Sequence, residues 1–377
     1  MDVILKFRVK LVLLIITITT SLFSVSQFGC QFLFINTSAR DAAFGLESGT
    51  AGLRYLSPTS IDNNPAKLGT FNGIGYEFSV YDYALGKFAT STIACGWEGI
   101  GINIPFLNTA SKFGTTIMHG KQTRLDEDGN VIDEFTVFEN NTKISIGIDV
   151  LKWSNQYLKN SYLENFQEFM KFYLGYSHNF IKSQLAPDTE YVNLNGKSSY
   201  GEYGFLIQHI PPKYLGKYSN WDFTFGINFI NPTKTEIFYI NEEQADPLPY
   251  GIKFGFSSCY SLDLEWIIRK YSQYKDSILP NFTDKTLVIY ASYDKANYGG
   301  IREIAGYGCE VSLLNILSYR IGLTDNKETG CYGFSYSFGC NLEYKKKVGI
   351  TIDYTRMFEG SEIYSPNKLN MTVKYNF

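Results

Sequence analysis

After its first thirty residues this sequence contains no apolar run of about 18 residues, so no transmembrane helix follows the N-terminus. It has no basic excess either. The 34 Lys and Arg residues against 37 Asp and Glu leave a formal charge of −3, which removes the electrostatic footprint of a nucleic-acid-binding chain. Histidine is scarce, at 3 residues, and His119, His178 and His209 are dispersed. None adjoins a nucleophile-elbow motif, so the chain is expected to be neither an enzyme nor the holder of a cofactor. The 6 cysteines (Cys30, Cys95, Cys259, Cys309, Cys331, Cys340) lack CxxC spacing, which argues against a zinc site or a disulfide framework. The run Asp126-Glu127-Asp128-Gly129-Asn130 falls short of an EF-hand loop and reads as a solvated hairpin turn. No Pro/Gly/Ser-rich linker divides the chain, so a single domain is expected after the N-terminus.

What the chain does have is aromatic: Tyr and Phe number 29 each, and aromatics make up 16%. That content suits strands and membrane interfaces. At the N-terminus, Lys6, Arg8 and Lys10 precede an apolar core from Leu11 to Ile18, and Ser24-Val25-Ser26 supplies small residues for cleavage. Residues 1–26 therefore read as a Sec signal peptide, with a retained anchor as the alternative. Cys30 would suit a lipoprotein, but Gln27-Phe28-Gly29 before it lacks the apolar residue of a lipobox. Removing residues 1–26 takes away three basic groups and one acid, so the net charge moves from −3 to −5.

From about residue 73 the dominant period is two. Leu369, Met371, Val373, Tyr375 and Phe377 alternate with Asn370, Thr372, Lys374 and Asn376, which a strand places on opposite faces. Trp221–Phe229, Val348–Tyr354, Ile144–Val150, Phe172–Phe180, Ile252–Phe256, Leu317–Leu323 and Tyr332–Phe338 repeat the pattern. One face is apolar and aromatic; the other carries Gly, Ser, Thr, Asn and an occasional charge. Alternation of this kind also occurs in soluble sandwiches and propellers. The aromatic outer face, the polar inner face and the terminal aromatic strand select a closed antiparallel transmembrane β-barrel, with Val373, Tyr375 and Phe377 as its assembly signal. A sheet in hydrocarbon must close, because unpaired edge groups would stay unsatisfied. Lys374 and Asp353 fall on the polar parity, and Arg356 on the apolar parity at a strand end.

Two stretches depart from strand periodicity. Leu158, Tyr162, Phe166 and Met170 recur at helical spacing and predict an amphipathic helix over residues 154–168. Residues 261–283 are open between strand extension and helix. Residues 27–72 are not strand-like: Ser38 caps a short helix with Asp41 in a capping-box position, and Pro65 opens a second turn that Gly69 stops. They are read as an N-terminal hatch, followed by the barrel over 73–377.

Ser38-Ala39-Arg40, Ala43-Phe44-Gly45 and Asn64-Pro65-Ala66, followed by Pro247–Ile252 and Tyr319-Arg320-Ile321-Gly322, resemble the PorV/PorQ proteins of the FadL-like outer-membrane barrels. The resemblance implies about fourteen strands, a hatch in the lumen and a place in the bacterial outer membrane. It also implies passage or binding of hydrophobic small molecules, with Ser38, Arg40, Phe44, Gly45, Asn64, Pro65 and Ala66 as hatch or gating residues. The alternatives are a type IX secretion accessory that binds translocon or cargo, and a structural or adhesive barrel. Expected partners are outer-membrane lipid, the outer-membrane assembly machinery, and either a hydrophobic ligand or secretion subunits.

Overall fold

The computed structural model describes residues 30–377 apart from 35, 46–47, 55, 84–85, 98–99, 106–116, 126–130, 159–165, 167, 185–194, 212–218, 241–243, 264–285, 301, 328–330, 345–346 and 359–366. The expected signal peptide, the acidic turn at 126–130 and most of 261–283 lie outside the described residues.

Seventeen strand segments form one sheet. In chain order they are β1 (Gly73–Tyr83), β2 (Gly86–Trp97), β3 (Ile100–Pro105), β4 (Ile117–Leu125), β5 (Val131–Asp149) and β6 (Met170–Gln184). There follow β7 (Asn195–His209), β8 (Ser219–Ile230), β9 (Glu236–Ile240), β10 (Gln244–Pro247), β11 (Gly251–Asp263) and β12 (Thr286–Tyr298). The last are β13 (Arg302–Leu313), β14 (Leu317–Asn326), β15 (Cys331–Tyr344), β16 (Val348–Phe358) and β17 (Asn367–Tyr375). All pairings are antiparallel, and β1 pairs with both β2 and β17, so the sheet closes into a ring. The segments make 14 staves, because three staves are each built from two pieces. β3 and β4 both lie between β2 and β5. β8 and β9 both pair with β7, while β10 and β11 continue one another on the next stave.

Side-chain burial follows the period of two. Along β17, Leu369, Met371, Val373 and Tyr375 are exposed outward, and Lys368, Asn370 and Thr372 are buried inward. β14 and β16 repeat the pattern: Tyr319, Ile321, Leu323, Ile350, Ile352 and Tyr354 face out, while Arg320, Asp353 and Thr355 face in. An oily exterior over a polar interior is the inverse of a soluble fold, and it reads as a barrel that spans a membrane. Arg356 does face outward, near the end of β16, with its guanidinium 5.0 Å from the Phe358 ring centroid.

Three sequence expectations need correction. The helix expected from residue 154 starts earlier, at Val150; its described part runs Val150–Leu158, residues 159–165 and 167 lie outside the described residues, and Met170 belongs to β6. Asp149 ends β5, and its carboxylate accepts from Lys152 N at 2.9 Å, so the helix starts earlier than its apolar spacing suggests. Asp41 does not complete a capping box: Ser38 Oγ accepts from Asp41 N at 3.2 Å, but Ser38 N donates to Asn36 Oδ1. Gly69 does not stop the turn at Pro65. That 3₁₀ segment runs Pro65–Thr70, and Gly69 sits inside it against the backbone of Ile148.

Candidate functional site

The lumen is filled by the segment that precedes β1. Ser38 caps a four-residue helix, Ala39–Ala42, that packs on the inner face of β15–β17. Wall hydroxyls hold its carbonyls: Thr355 Oγ1 donates to Ala39 O at 2.6 Å and Ser335 Oγ to Ala43 O at 2.9 Å. The Asp294 carboxylate on β12 accepts from the backbone N–H groups of Gly49 and Thr50 at 3.2 and 2.8 Å. Glu77 on β1 accepts from Thr59 N and Oγ1 at 2.8 and 2.7 Å. Asn64 caps the Pro65 turn by accepting from Ala66 N, and its amide donates to Thr50 O and to the wall carbonyl of Phe205. Each bond satisfies a backbone group that an irregular segment would otherwise leave unpaired away from water.

Beneath this segment the wall is bare. Gly96, Gly101, Gly147, Gly175 and Gly204 stand in direct register across β2, β3, β5, β6 and β7. Gly226 and Gly255 pair across β8 and β11, and Gly308 and Gly322 across β13 and β14. A Cβ on these glycines would run into the hatch: Phe71 O at Gly96, Leu68 O at Gly101, Pro65 at Gly175, Thr50 O at Gly226, and Ala43 O at Gly322. The hatch main chain thus rides on a belt of wall glycines, which permit the close backbone approach. Outside the belt, between Ile146, Leu174, Tyr176, Tyr203, Phe205 and Phe229, the wall carries an apolar groove of about 450 Å³.

Opposite charges complete the anchorage. Glu310 on β13 is fully buried and meets Arg320 at 2.5 Å, Arg54 at 2.7 Å and Arg40 at 3.5 Å. Arg320 also reaches Asp353 at 2.6 Å. One wall carboxylate therefore ties two hatch arginines to the barrel. A second buried pair lies within the hatch, Lys67 to Asp41 at 3.6 Å. Burial lowers the Lys67 ammonium from its ordinary range, opposed by Asp41 and Asp294.

Between hatch and wall a cavity of about 70 Å³ remains, bounded by Leu33, Phe34, Asn36, Thr37, Asp62 and Asn63 of the hatch. Its polar wall comes from Thr90 and Thr92 on β2, Asn141 and Lys143 on β5, Asn179 on β6 and Glu202 on β7. Its apolar wall comes from Ile230, Pro249 and Tyr298, continuous with a cluster holding Tyr81, Phe88, Ile237 and Leu248. Lys143 Nζ donates to Asp62 O at 2.8 Å and Glu202 Oε2 at 2.9 Å. Asn179 donates to Glu202 Oε1 at 2.9 Å, and Asn141 to Asn179 Oδ1 at 3.0 Å. Burial pushes the Asp62 carboxyl up, opposed by Lys143 and by the Thr37 hydroxyl.

The cavity lies against the wall's interruptions. β2 pairs with β3 only up to Thr92↔Pro105 and meets β4 again at Ala89↔Ile117. β5 pairs with β3 up to Ser145 and with β4 from Asn140. Thr90, Ser91 and Asn141–Ile144 lie between the β3 and β4 ladders, whose connecting residues 106–116 are outside those described, and Thr90, Asn141 and Lys143 also line the cavity. On the other side, the chain leaves the sheet between β8 and β9, where Asn231 and Lys234 take φ of 45° and 53°. It leaves again at Leu248–Tyr250, between β10 and β11.

The sequence-predicted hatch residues fall in two places. Arg40, Phe44 and Gly45 lie on the β12–β14 side: the Arg40 guanidinium is 5.9 Å from the Phe44 ring centroid, and Phe44 packs on Tyr290 at 5.2 Å. Gly45, at φ +118°, lies against Gly306. Asn64, Pro65 and Ala66 lie on the β6–β8 side of the belt, and Ser38 sits beside the helix it caps. None of these residues lines the cavity. Val373, Tyr375 and Phe377 are exposed on the outer face, with Tyr375 and Phe377 in edge contact at 6.1 Å. The residues that sequence reasoning missed are the wall glycines and the polar ladder Asn141–Asn179–Glu202–Lys143. The available signal was glycine in mid-strand on the polar parity, the position where a strand has no need of glycine unless another backbone approaches.

No family model matches the sequence, and no curated protein matches it. Solved structures similar to it include the CymD monoaromatic hydrocarbon channel, at 9% identity over 91% of this chain and 98% of that one, with a TM-score of 0.43. The Pseudomonas putida toluene transporter TodX is 10% identical over 94% of this chain and 99% of its own, with a TM-score of 0.42. A Pseudomonas aeruginosa FadL homologue is 9% identical over 95% of this chain and 100% of its own, with a TM-score of 0.34. The KdgM porin is similar as well, at 4% identity over 80% of this chain and 99% of its own, with a TM-score of 0.31. At these identities and scores the likeness decides nothing about substrate, which has to be argued from the lumen itself.

Proposed function

We propose that this chain is a bacterial outer-membrane barrel, exported on residues 1–26, that carries small hydrophobic molecules past a seated hatch and releases them sideways into the bilayer. The observation that carries the reading is the cavity between hatch and wall, bordered by Thr90, Asn141 and Lys143 where the described wall passes from the β3 ladder to the β4 ladder. A plugged lumen offers a solute no straight aqueous path, whereas a way out through the wall leads to oil. Every methylene kept out of water is worth about 0.8 kcal/mol, so a six-carbon solute leaving through the wall avoids roughly 5 kcal/mol of hydration cost. The apolar cluster around Phe34, Tyr298, Tyr81 and Phe88 supplies the approach to the cavity.

The finer assignment, to the PorV/PorQ type among FadL-like barrels, rests on the order of Ser38–Arg40, Ala43–Gly45 and Asn64–Ala66 and forms part of this proposal. The test is uptake of a radiolabelled six-carbon hydrocarbon into proteoliposomes. Wild type should accelerate uptake over empty liposomes, and Thr90→Trp, which fills the cavity from the β2 wall, should return it to background. Equal uptake by wild type and Thr90→Trp would end the lateral route.

A further inference from the structure

The cavity is amphipathic, and that asymmetry bears on what it holds. This inference rests on the carriage reading above and names the substrate class for the same site. Two buried polar atoms on the cavity wall reach no protein partner: Thr92 Oγ1, on a residue 1% exposed, and Asn141 Oδ1. Asn141 spends its amide N–H on Asn179, so its oxygen is left as an acceptor facing the lumen. A buried polar atom without a partner is costly, which calls for an occupant that brings a hydrogen-bond donor. The charges on the lining balance, Asp62 and Glu202 against Lys143 and Lys253, and Lys143 is engaged by Glu202 and Asp62 O. Such a lining has no net charge with which to select a carboxylate or an ammonium. Phe34, Ile230 and the Tyr298 ring supply the apolar part of the lining. At roughly 10–15 Å³ per water-sized group, about 70 Å³ accommodates about five or six non-hydrogen atoms.

We propose that the cavity binds a small neutral amphiphile, an alcohol or primary amide, with its polar end on Thr92 and Asn141 and its hydrocarbon against Phe34, Ile230 and Tyr298. Both polar residues belong to the barrel wall, on β2 and β5, so the head group is held at the wall while the tail stays on the apolar lining. A plain hydrocarbon would leave both atoms unpaired, and a carboxylate would face Asn141 Oδ1 acceptor to acceptor.

The test is fluorine NMR on the full barrel in nanodiscs, with 4-fluoro-1-butanol and 1-fluorobutane as probes and empty nanodiscs as the partition control. The fluoroalcohol should give a protein-bound signal and bind at least tenfold more tightly than 1-fluorobutane. Thr92→Val should weaken the alcohol about tenfold, Thr92→Val with Asn141→Leu should abolish its signal, and Thr92→Ser should keep it. Neither of the first two variants should weaken the binding of 1-fluorobutane. Equal binding of the two probes by wild type, or alcohol binding unmoved by Thr92→Val and the double variant, would overturn the proposal and leave the cavity to water. Hydrocarbon uptake that persists alongside such a result would leave the carriage reading intact; loss of both would end both.

Discussion

Substituting Gly147 by alanine puts the seat of the hatch under direct strain. The added Cβ would lie 2.6 Å from Leu68 Cβ, 2.7 Å from Pro65 O and 2.9 Å from Gly69 N, three atoms of the hatch on two sides of it. An ordinary contact begins at 3.4 Å, so from 2.6 Å the Leu68 side must retreat by about 0.8 Å. The Pro65 turn cannot yield freely, because Asn64 ties it to Phe205 O and Thr50 O. Overpacking of this kind costs about 1–3 kcal/mol, or roughly 5- to 150-fold in the equilibrium between seated and lifted hatch. Gly349 is the control: it too lies in a strand, but nothing stands within 4 Å of its Cβ position. There, alanine should be neutral or stabilise by about 0.4–1 kcal/mol through the unfolded chain. Hydrogen exchange read peptide by peptide separates the outcomes. Gly147→Ala should speed exchange in residues 59–71 while β14–β17 keep their protection, and Gly349→Ala should change neither. Unchanged exchange in residues 59–71 of Gly147→Ala would refute the belt as the hatch's seat.

Other substitutions probe the anchors. Glu310→Gln strips Arg40, Arg54 and Arg320 of a shared carboxylate, and breaking a buried pair costs about 3–5 kcal/mol. Residues 36–54 should then become sensitive to added protease and bilayer recordings should show open events absent from wild type. For Asp62, whose folded-state carboxyl is raised by burial, the unfolded state releases its proton first as pH climbs past 3.8. Stability is therefore lost as pH rises from there through the raised value. Hatch protection measured from acid toward neutral pH should fall in wild type, and Asp62→Asn should flatten that fall. Lys67 has the opposite sign: its lowered value makes the hatch gain stability as pH rises from that value toward 10.5, a rise that Lys67→Met should remove in the same assay.

The barrel was legible in the sequence because a strand with oil on one side and a wet plug on the other leaves few choices at each position. Leu369, Met371 and Val373 facing out, with Asn370 and Thr372 facing in, follow from parity alone. The broken staves were not legible. Pro247, Leu248 and Pro249 sit where the chain leaves the sheet between β10 and β11, but proline also marks ordinary edges and turns. The start of the helix after β5, at Val150 rather than 154, was not legible because Asp149 serves both as the last strand residue and as the acceptor for Lys152 N, and alternation carried the strand reading through it. The hatch residues were picked out by motif, and the structure gives Asn64 and Arg40 physical anchoring roles. The cavity was out of reach, since Thr92, Asn141, Glu202 and Tyr298 come from four distant strands and only closure of the ring brings them together.

The hatch also touches both strands of the seam where the first and last strands pair. Glu77 on β1 and Asn370 on β17 bond each other at 2.5 Å, and both reach Thr59. Ser79 on β1 reaches Thr37 O, and Lys368 on β17 reaches Asn36 O. The first and final strands are thus buttoned together through the segment between them. Zipping the seam and lodging the plug are expected to be a single event in biogenesis, with the plug acting as the keystone around which the cylinder shuts.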